Sequence, residues 1–93
     1  MTKAEIIRDI ATSTGVERVM VANVVEAFMA NVRKSIVSGE NVYLRGFGTF
    51  LVKHRAEKVA RNISKNTTIV IPAHSVPAFK PAKEFVEHVQ EGK

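Results

Sequence analysis

The segment from Lys53 to Ala73 is the part of this sequence that most restricts how the chain can fold. It contains five basic residues and one acidic residue, Glu57, so its net charge is +4. A segment with that charge does not form a buried core. β-Branched residues recur among the charges, most densely over residues 67–71, and they favour β-strands. We predict a basic pair of strands, called the arm below, that lies outside the core and suits a polyanionic partner.

The chain is short for a protein without covalent cross-links. A domain of 93 residues buries only about 60 to 65% of the surface that its unfolded chain exposes. The sequence has no cysteine, so it forms neither a disulfide nor a thiolate metal site. We therefore expect residues 1–93 to form one domain that gains stability by oligomerisation.

The basic residues are concentrated in one region. Residues 45–83 contain eight basic residues and one acidic residue, whereas residues 1–44 contain five of each and residues 84–93 contain one and three. This distribution is typical of nucleic-acid-binding proteins. No stretch approaches the roughly 18 consecutive apolar residues of a membrane span, and the N-terminus lacks the apolar core of a secretory signal. We expect an intracellular protein without a membrane partner.

Two helices are predicted before the first strand. Thr2 and Glu5 have the spacing of a capping box, which precedes a helix over residues 3–13. Gly15 then allows a tight turn into a second helix over residues 16–38.

The second helix is apolar over much of its circumference, and so broad an apolar face predicts more than one neighbour. We expect the first helix to cover one part and a second copy of the chain another, which makes residues 1–38 the dimerisation part. The alternative, in which the rest of the same chain covers the whole face, stays open.

The sheet is predicted from residue 40 to residue 79. Residues 42–44 form a strand, residues 45–48 a turn in which glycines give the backbone freedom, and residues 49–52 a strand that continues into the arm. The tip of the arm falls near residues 64–67, where Asn66 is best able to adopt a left-handed conformation.

The return strand of the arm ends near Pro72. Residues 76–79 are interpreted as a connector that leads back to the body, and Pro81 as part of the first turn of a third helix over residues 81–91. The inward face of that helix consists of Phe85, Val86 and Val89.

The sequence gives little support for catalysis. Its three histidines, His54, His74 and His88, are scattered, and none has the spacing of a helical metal pair. A glycine-rich phosphate loop and a nucleophile elbow are both missing from the sequence. We expect no enzyme activity, no catalytic or metal-binding residue and no cofactor.

Three motifs in order resemble one known family. GFGTF at residues 46–50, Arg-Asn at residues 61–62 and VPAFK at residues 76–80 follow the spacing of the HU and integration host factor family of bacterial DNA-bending proteins. The resemblance covers essentially the whole chain. It implies an α+β fold in which an intertwined dimer has a helical base under a three-stranded antiparallel sheet, with two β-ribbon arms that wrap DNA.

The resemblance also implies the site residues. On the arm, the expected DNA contacts are Lys53, Arg55, Lys58, Arg61, Asn62, Ile63 and Lys65. On the body, they are Lys3, Arg18, Arg45, Gly46, Lys80 and Lys83, for which a solvated surface charge is the open alternative. The expected aromatic core of the dimer consists of Phe28, Phe47, Phe50 and Phe79.

The sequence departs from the family pattern at the tip of the arm. Ile63 stands where the family usually has a proline that inserts between base pairs, and an isoleucine is still an apolar wedge of the kind that kinks a duplex. Asn66 stands where a turn glycine is common, and asparagine tolerates a positive φ.

The resemblance implies a histone-like protein of the bacterial nucleoid, hence cytoplasmic, that binds double-stranded DNA in the minor groove with little sequence specificity and bends it. Bent, nicked or gapped DNA is the expected preferred partner, and a homodimer is the simplest assembly. One alternative is a subunit of a sequence-preferring heterodimer like integration host factor. Another is a basic protein-interaction dimer without a DNA function. RNA also stays open as a partner.

Overall fold

The computed structural model describes residues 1–62 and 64–92. In chain order, the elements are α1 (Lys3–Thr14), α2 (Arg18–Val37), β1 (Val42–Leu44), β2 (Gly48–Arg55), β3 (Lys58–Asn62), β4 (Thr67–Ile71), β5 (His74–Pro81) and α3 (Lys83–Glu91). The antiparallel strands form a three-stranded sheet in the order β1-β2-β5 and a two-stranded sheet of β3 and β4. The predicted α+β class is confirmed. The chain divides into two compact units, Met1–Ser35 and Ile36–Lys93.

The first unit, Met1–Ser35, is helical, and it begins as the sequence predicts. The Thr2 hydroxyl accepts a hydrogen bond from the backbone N–H of Glu5, and the Glu5 side chain accepts one from the Thr2 backbone, which completes the capping box. Gly15 ends α1 with a φ of 75°, and its N–H donates to the carbonyl of Ala11. A left-handed cap of this kind favours glycine because a side chain would be strained there.

Most of the apolar surface of α2 is exposed in the single chain. Val21 is buried at 5% exposure, whereas Val19, Val24 and Phe28 are 70%, 68% and 46% exposed. An open apolar groove also lies between the end of α1 and the start of α2, and its lining includes Ile10. The broad apolar face predicted for this helix is therefore present, and in the single chain it is largely uncovered.

The three-stranded sheet is longer than its sequence suggests. β5 pairs with β2 over its whole length, from Gly48 opposite Pro81 to Arg55 opposite His74. The interpretation of residues 76–79 as a connector is therefore wrong. The prolines at 77 and 81 argue against a strand when the sequence is considered alone. However, β5 is an edge strand of the sheet, where a residue without an N–H is tolerated.

The third helix starts later than predicted. Pro81 is the last residue of β5, Ala82 is the N-cap, and the helix begins at Lys83. Pro81 is therefore not in the first helical turn. Of the three residues predicted to face inward, Phe85 is half-buried, whereas Val86 and Val89 are 38% and 67% exposed in the single chain.

The ribbon of β3 and β4 continues the register of β2 and β5. Lys58 is opposite Ile71 and Asn62 is opposite Thr67, which is the register that β2 and β5 would reach without any slip. The pairing is interrupted for two residues on each strand, at 56–57 and at 72–73. Pro72 lies in this gap and has no N–H to donate, which explains why the ladder stops there.

The two glycines of the GFGTF motif, Gly46 and Gly48, have different structural roles. Gly46 has a φ of 81° in the turn, and the N–H of Phe47 donates to the carbonyl of Leu44 across it, so Gly46 supplies the predicted backbone freedom. Gly48 lies within β2, and a Cβ there would stand 2.6 Å from the Lys80 carbonyl oxygen and from the Phe79 ring. The prediction of backbone freedom is therefore wrong for Gly48, which provides space.

No helix within the described residues has both the length and the apolar character needed to cross a membrane.

Candidate nucleic-acid interface

The root of the arm presents two cations on one face of the sheet. Lys53 lies opposite Val76 and Arg55 lies opposite His74, and these four residues share a face because side chains alternate along a strand. Lys53 and Arg55 are both exposed. The alternation also places Lys80 on this face, opposite Thr49.

The ribbon carries cations on both of its faces. Lys58 lies opposite Ile71, and three residues further along the same strand Arg61 lies opposite Thr68. An odd spacing along a strand places the two side chains on opposite faces. Both are exposed, and so is every residue of β4. The ribbon therefore offers positive charge to anions on two sides at once.

Apolar side chains stand exposed between these charges. Val59 and Val70 are directly opposite each other on the face of Arg61, and they are 64% and 55% exposed. Ile69 and Ile71 lie on the other face and are 48% and 39% exposed. A two-stranded ribbon with uncovered apolar side chains is marginally stable in water by itself, so a bound partner has apolar surface to cover here.

Side-chain hydrogen bonds hold the tip of the ribbon. Asn66 has a φ of 51°, as its predicted left-handed conformation requires, and its Oδ1 accepts a hydrogen bond of 2.8 Å from Nη2 of Arg61. The Ser64 hydroxyl donates to Oδ1 of Asn62, also over 2.8 Å. Lys65 is exposed in the turn. Ile63, the predicted wedge, lies outside the described residues.

A second group of residues predicted to contact DNA lies beside the β1–β2 turn. Arg45, Gly46, Lys80 and Lys83 line one shallow, open depression of about 440 Å³. The N–H of Ala82 donates to the Phe47 carbonyl over 2.9 Å, which ties the start of α3 to the turn. The first N–H groups of a helix favour anions, so this depression combines three side-chain cations with a partly positive helix end.

The lining of this depression also includes Tyr43 and Thr49, which were not predicted as contacts. Tyr43 is 74% exposed and lies opposite Thr49. The sequence already indicated the exposure of Tyr43, because it is the middle residue of the three-residue strand β1 and therefore points to the face opposite that of Val42 and Leu44.

The remaining predicted body contacts, Lys3 and Arg18, belong to the helical unit. Lys3 Nζ already forms an ion pair and hydrogen bond with Glu26, and both side chains are about half exposed. A pair this exposed contributes about 0 to 1 kcal/mol, so a phosphate group can replace the carboxylate at little cost. Arg18 is the exposed first residue of α2.

The aromatic residues of the sheet unit form a cluster. The ring centroids of Phe79 lie 4.9 Å from Phe50 and 5.3 Å from Phe47, and Phe47 is also 5.3 Å from Phe85. These are favourable separations for tilted aromatic pairs. Phe85 was predicted only as an inward residue of α3, and its place in the cluster is new. Phe47 and Phe79 are still 46% and 38% exposed in the single chain.

Two histidines at the root of the arm make defined hydrogen bonds. His54 Nδ1 is 2.8 Å from the Ser75 hydroxyl, and His74 Nδ1 is 3.0 Å from the Pro72 carbonyl oxygen. Among the described residues, no group of three histidine, aspartate or glutamate side chains is arranged to hold a metal ion.

Comparison with known proteins agrees with this geometry. Residues 1–90 match the family described as bacterial DNA-binding protein. The chain is 40% identical to the SPbeta prophage-derived DNA-binding protein HU 2 of Bacillus subtilis, over 97% of this chain and 98% of that protein. It is 36% identical to the integration host factor subunit beta of Marinobacter nauticus, over 98% and 94%.

The fold has a solved counterpart. A cocrystal structure of Anabaena HU with DNA superposes with a TM-score of 0.89, at 34% identity over 96% of this chain and 97% of that one. The higher sequence identity and this structural match are both to HU proteins, so the integration host factor alternative is not favoured. The chain belongs to the HU and integration host factor family of bacterial DNA-binding proteins, as an HU-like member.

Proposed function

We propose that this protein is a histone-like architectural protein that binds double-stranded DNA through its arm, bends it, and organises the bacterial nucleoid. The observation that carries the proposal is the ribbon of β3 and β4, which is exposed throughout β4 and presents Lys58 and Arg61 on opposite faces. A groove in a duplex offers phosphates along two walls. A narrow ribbon with cations on both faces matches that arrangement, whereas a flat partner would use one face.

Most of the affinity should come from release of the counterions that are condensed on the DNA. Each phosphate that a lysine or arginine neutralises contributes to this sequence-independent term. The predicted wedge at Ile63 adds an apolar contact that favours an unstacked base step. The exposed valines and isoleucines of the ribbon add apolar contacts along its length. The depression that contains Arg45, Lys80 and Lys83 would then hold the DNA that flanks the bend.

We propose that the active form is a dimer, with a homodimer as the simplest assembly. Two observations support it. The apolar surface of α2 is largely uncovered, with Val24 at 68% exposure, and the aromatic residues Phe47 and Phe79 are more than one-third exposed. Large apolar side chains this exposed on one helix and in one aromatic cluster are unusual on a stable monomer. A second copy would cover both, and it would supply the second arm.

The proposal is tested by binding and fluorescence-transfer bending on a straight duplex and on the same duplex with a nick. Because the nick makes bending easier, the nicked duplex should bind about tenfold more tightly or better at fixed salt. The transfer efficiency between labels at its ends should rise on binding. Equal affinity for the two duplexes together with unchanged transfer would contradict the proposal.

The wedge is tested in the same assay with Ile63→Ala. We expect this variant to bind the straight duplex with less bending, because the apolar group that unstacks the base step is lost. Val59→Ala is the matched control, since it removes a similar apolar volume from an exposed position on the ribbon. If both variants bend DNA as the unaltered protein does, Ile63 is not a wedge.

A further inference from the structure

The root of the arm combines a histidine with two permanent cations. His74 lies directly opposite Arg55, and Lys53 and Val76 form the next pair on the same face. Directly opposite residues of antiparallel strands have Cβ atoms about 5 Å apart. One phosphate oxygen pair can therefore contact Arg55 and His74 together.

The hydrogen bond of His74 fixes which ring nitrogen is free. The Pro72 carbonyl oxygen accepts over 3.0 Å from Nδ1, and a carbonyl cannot donate, so Nδ1 carries the proton. In the neutral ring Nε2 is then an acceptor, which repels a phosphate oxygen. When Nε2 takes up a proton, it becomes a charged donor and the bond to Pro72 is unchanged.

We propose that Arg55 and His74 form a proton-dependent phosphate site, so that DNA binding at the root of the arm is coupled to proton uptake by His74. The proposal rests on the proposed DNA-binding function and adds a residue and a regulation to it. Imidazoles change charge between about pH 5 and pH 8. A bound phosphate places negative charge beside the ring and so favours the imidazolium.

Cations predominate on the face of the sheet where His74 lies. β2 contributes Lys53 and Arg55 on this face, and β5 itself contributes Val76 next to His74 and Lys80 near its other end. Glu57, in the gap of the ladder opposite Pro72, is the one acidic residue among residues 45–83. The ion pairs found among the described residues are Lys3 with Glu26 and Arg8 with Asp9, so Glu57 forms no ion pair with Arg55 or Lys53 there.

His54 offers a matched control a short distance away. Its Nδ1 is bonded to the Ser75 hydroxyl, and it lies on the opposite face, where the next pair is Val52 with Pro77. That neighbouring pair contains no cation to share a phosphate. His88, an exposed residue of α3, is a second control.

The test measures affinity for a nicked duplex at constant ionic strength from about pH 8 to about pH 6. Affinity of the unaltered protein should rise by about three- to tenfold as the pH falls, because the complex binds more protons than its free components. His74→Gln should lose most of this rise, whereas His54→Gln and His88→Gln should keep it. His74→Lys should bind tightly at both ends of the range, because its charge is permanent there.

Two further measurements exclude a merely structural role for His74. Titration calorimetry in two buffers of different ionisation enthalpy should show proton uptake on binding by the unaltered protein and much less by His74→Gln. The salt dependence of binding should also steepen by about 0.9 in the logarithmic slope for each arm at the lower pH.

The outcomes distinguish failure of the proton-dependent site from failure of DNA binding itself. Failure to bind either duplex at any pH would remove the proposed DNA-binding function. Binding with the same pH dependence in the unaltered protein and in His74→Gln would overturn the proton-dependent site and leave DNA binding intact. Loss of the pH dependence in His54→Gln instead would also overturn it.

Discussion

β2 and β5 of the sheet pair in the same register as β3 and β4 of the ribbon, but the side chains of the two regions have different surroundings. In the sheet, Phe50 and Phe79 face each other within the aromatic cluster. In the ribbon, the opposite pairs include Lys58 with Ile71, Arg61 with Thr68, and the exposed apolar pair of Val59 and Val70. The backbone ladder is the same, so the difference lies in what each face contacts. The sheet is built for stability, and we propose that the ribbon is built for binding.

The largest difference between the two regions should appear in hydrogen exchange of the DNA-free protein. Backbone amides in β2 that bond to β5 should be protected about a thousandfold more than those of β3 and β4, because local opening of an uncovered ribbon costs little free energy. Exchange measured by NMR or mass spectrometry tests this. DNA should then slow exchange selectively in the ribbon, and equal protection in the free protein would remove the distinction.

Truncation of an aromatic residue should cost more stability on one face of the sheet than on the other. Phe79→Ala should lower the free energy of unfolding by about 3 kcal/mol, because Phe79 contacts Phe47, Phe50 and Phe85. Tyr43→Ala is the matched control on the other face, where the ring is 74% exposed, and it should cost less than about 1 kcal/mol. Urea unfolding followed by circular dichroism measures both, and equal costs would contradict the assignment.

A smaller effect is expected when one methyl group is added to the sheet. In Gly48→Ala the new Cβ would stand 2.6 Å from the Lys80 carbonyl oxygen and from the Phe79 ring, so β2 and β5 must separate or the ring must move. Such overpacking costs about 1 to 3 kcal/mol. The same unfolding assay detects it, and an unchanged midpoint would show that the sheet yields more easily than its geometry indicates.

How far the sequence predicts this molecule also differs between regions. Local signals were sufficient for the capping box at Thr2, the left-handed Gly15 and Asn66, and the bounds of β1. Each depends on a few adjacent residues. The arm was predicted from its charge, and its tip from one asparagine.

What the sequence did not reveal depends on pairing across the sheet. β5 was taken for a connector because its prolines are poor in strands, and only its edge position makes them acceptable. The steric role of Gly48 and the place of Phe85 in the cluster need the neighbouring strand and helix to be known. His74 became a candidate only when the register placed it opposite Arg55.

The most direct test of the central claim compares the loss of two charges in the ribbon with the loss of two elsewhere. Lys58→Ala with Arg61→Ala removes them from the ribbon, and Arg33→Ala with Lys34→Ala removes them from exposed positions on α2. If the ribbon grips DNA, the logarithmic salt slope of binding should weaken by about 1.8 for each arm in the ribbon variant, at unchanged stability, and by little in the α2 variant. Equal slopes for the two variants would contradict the account.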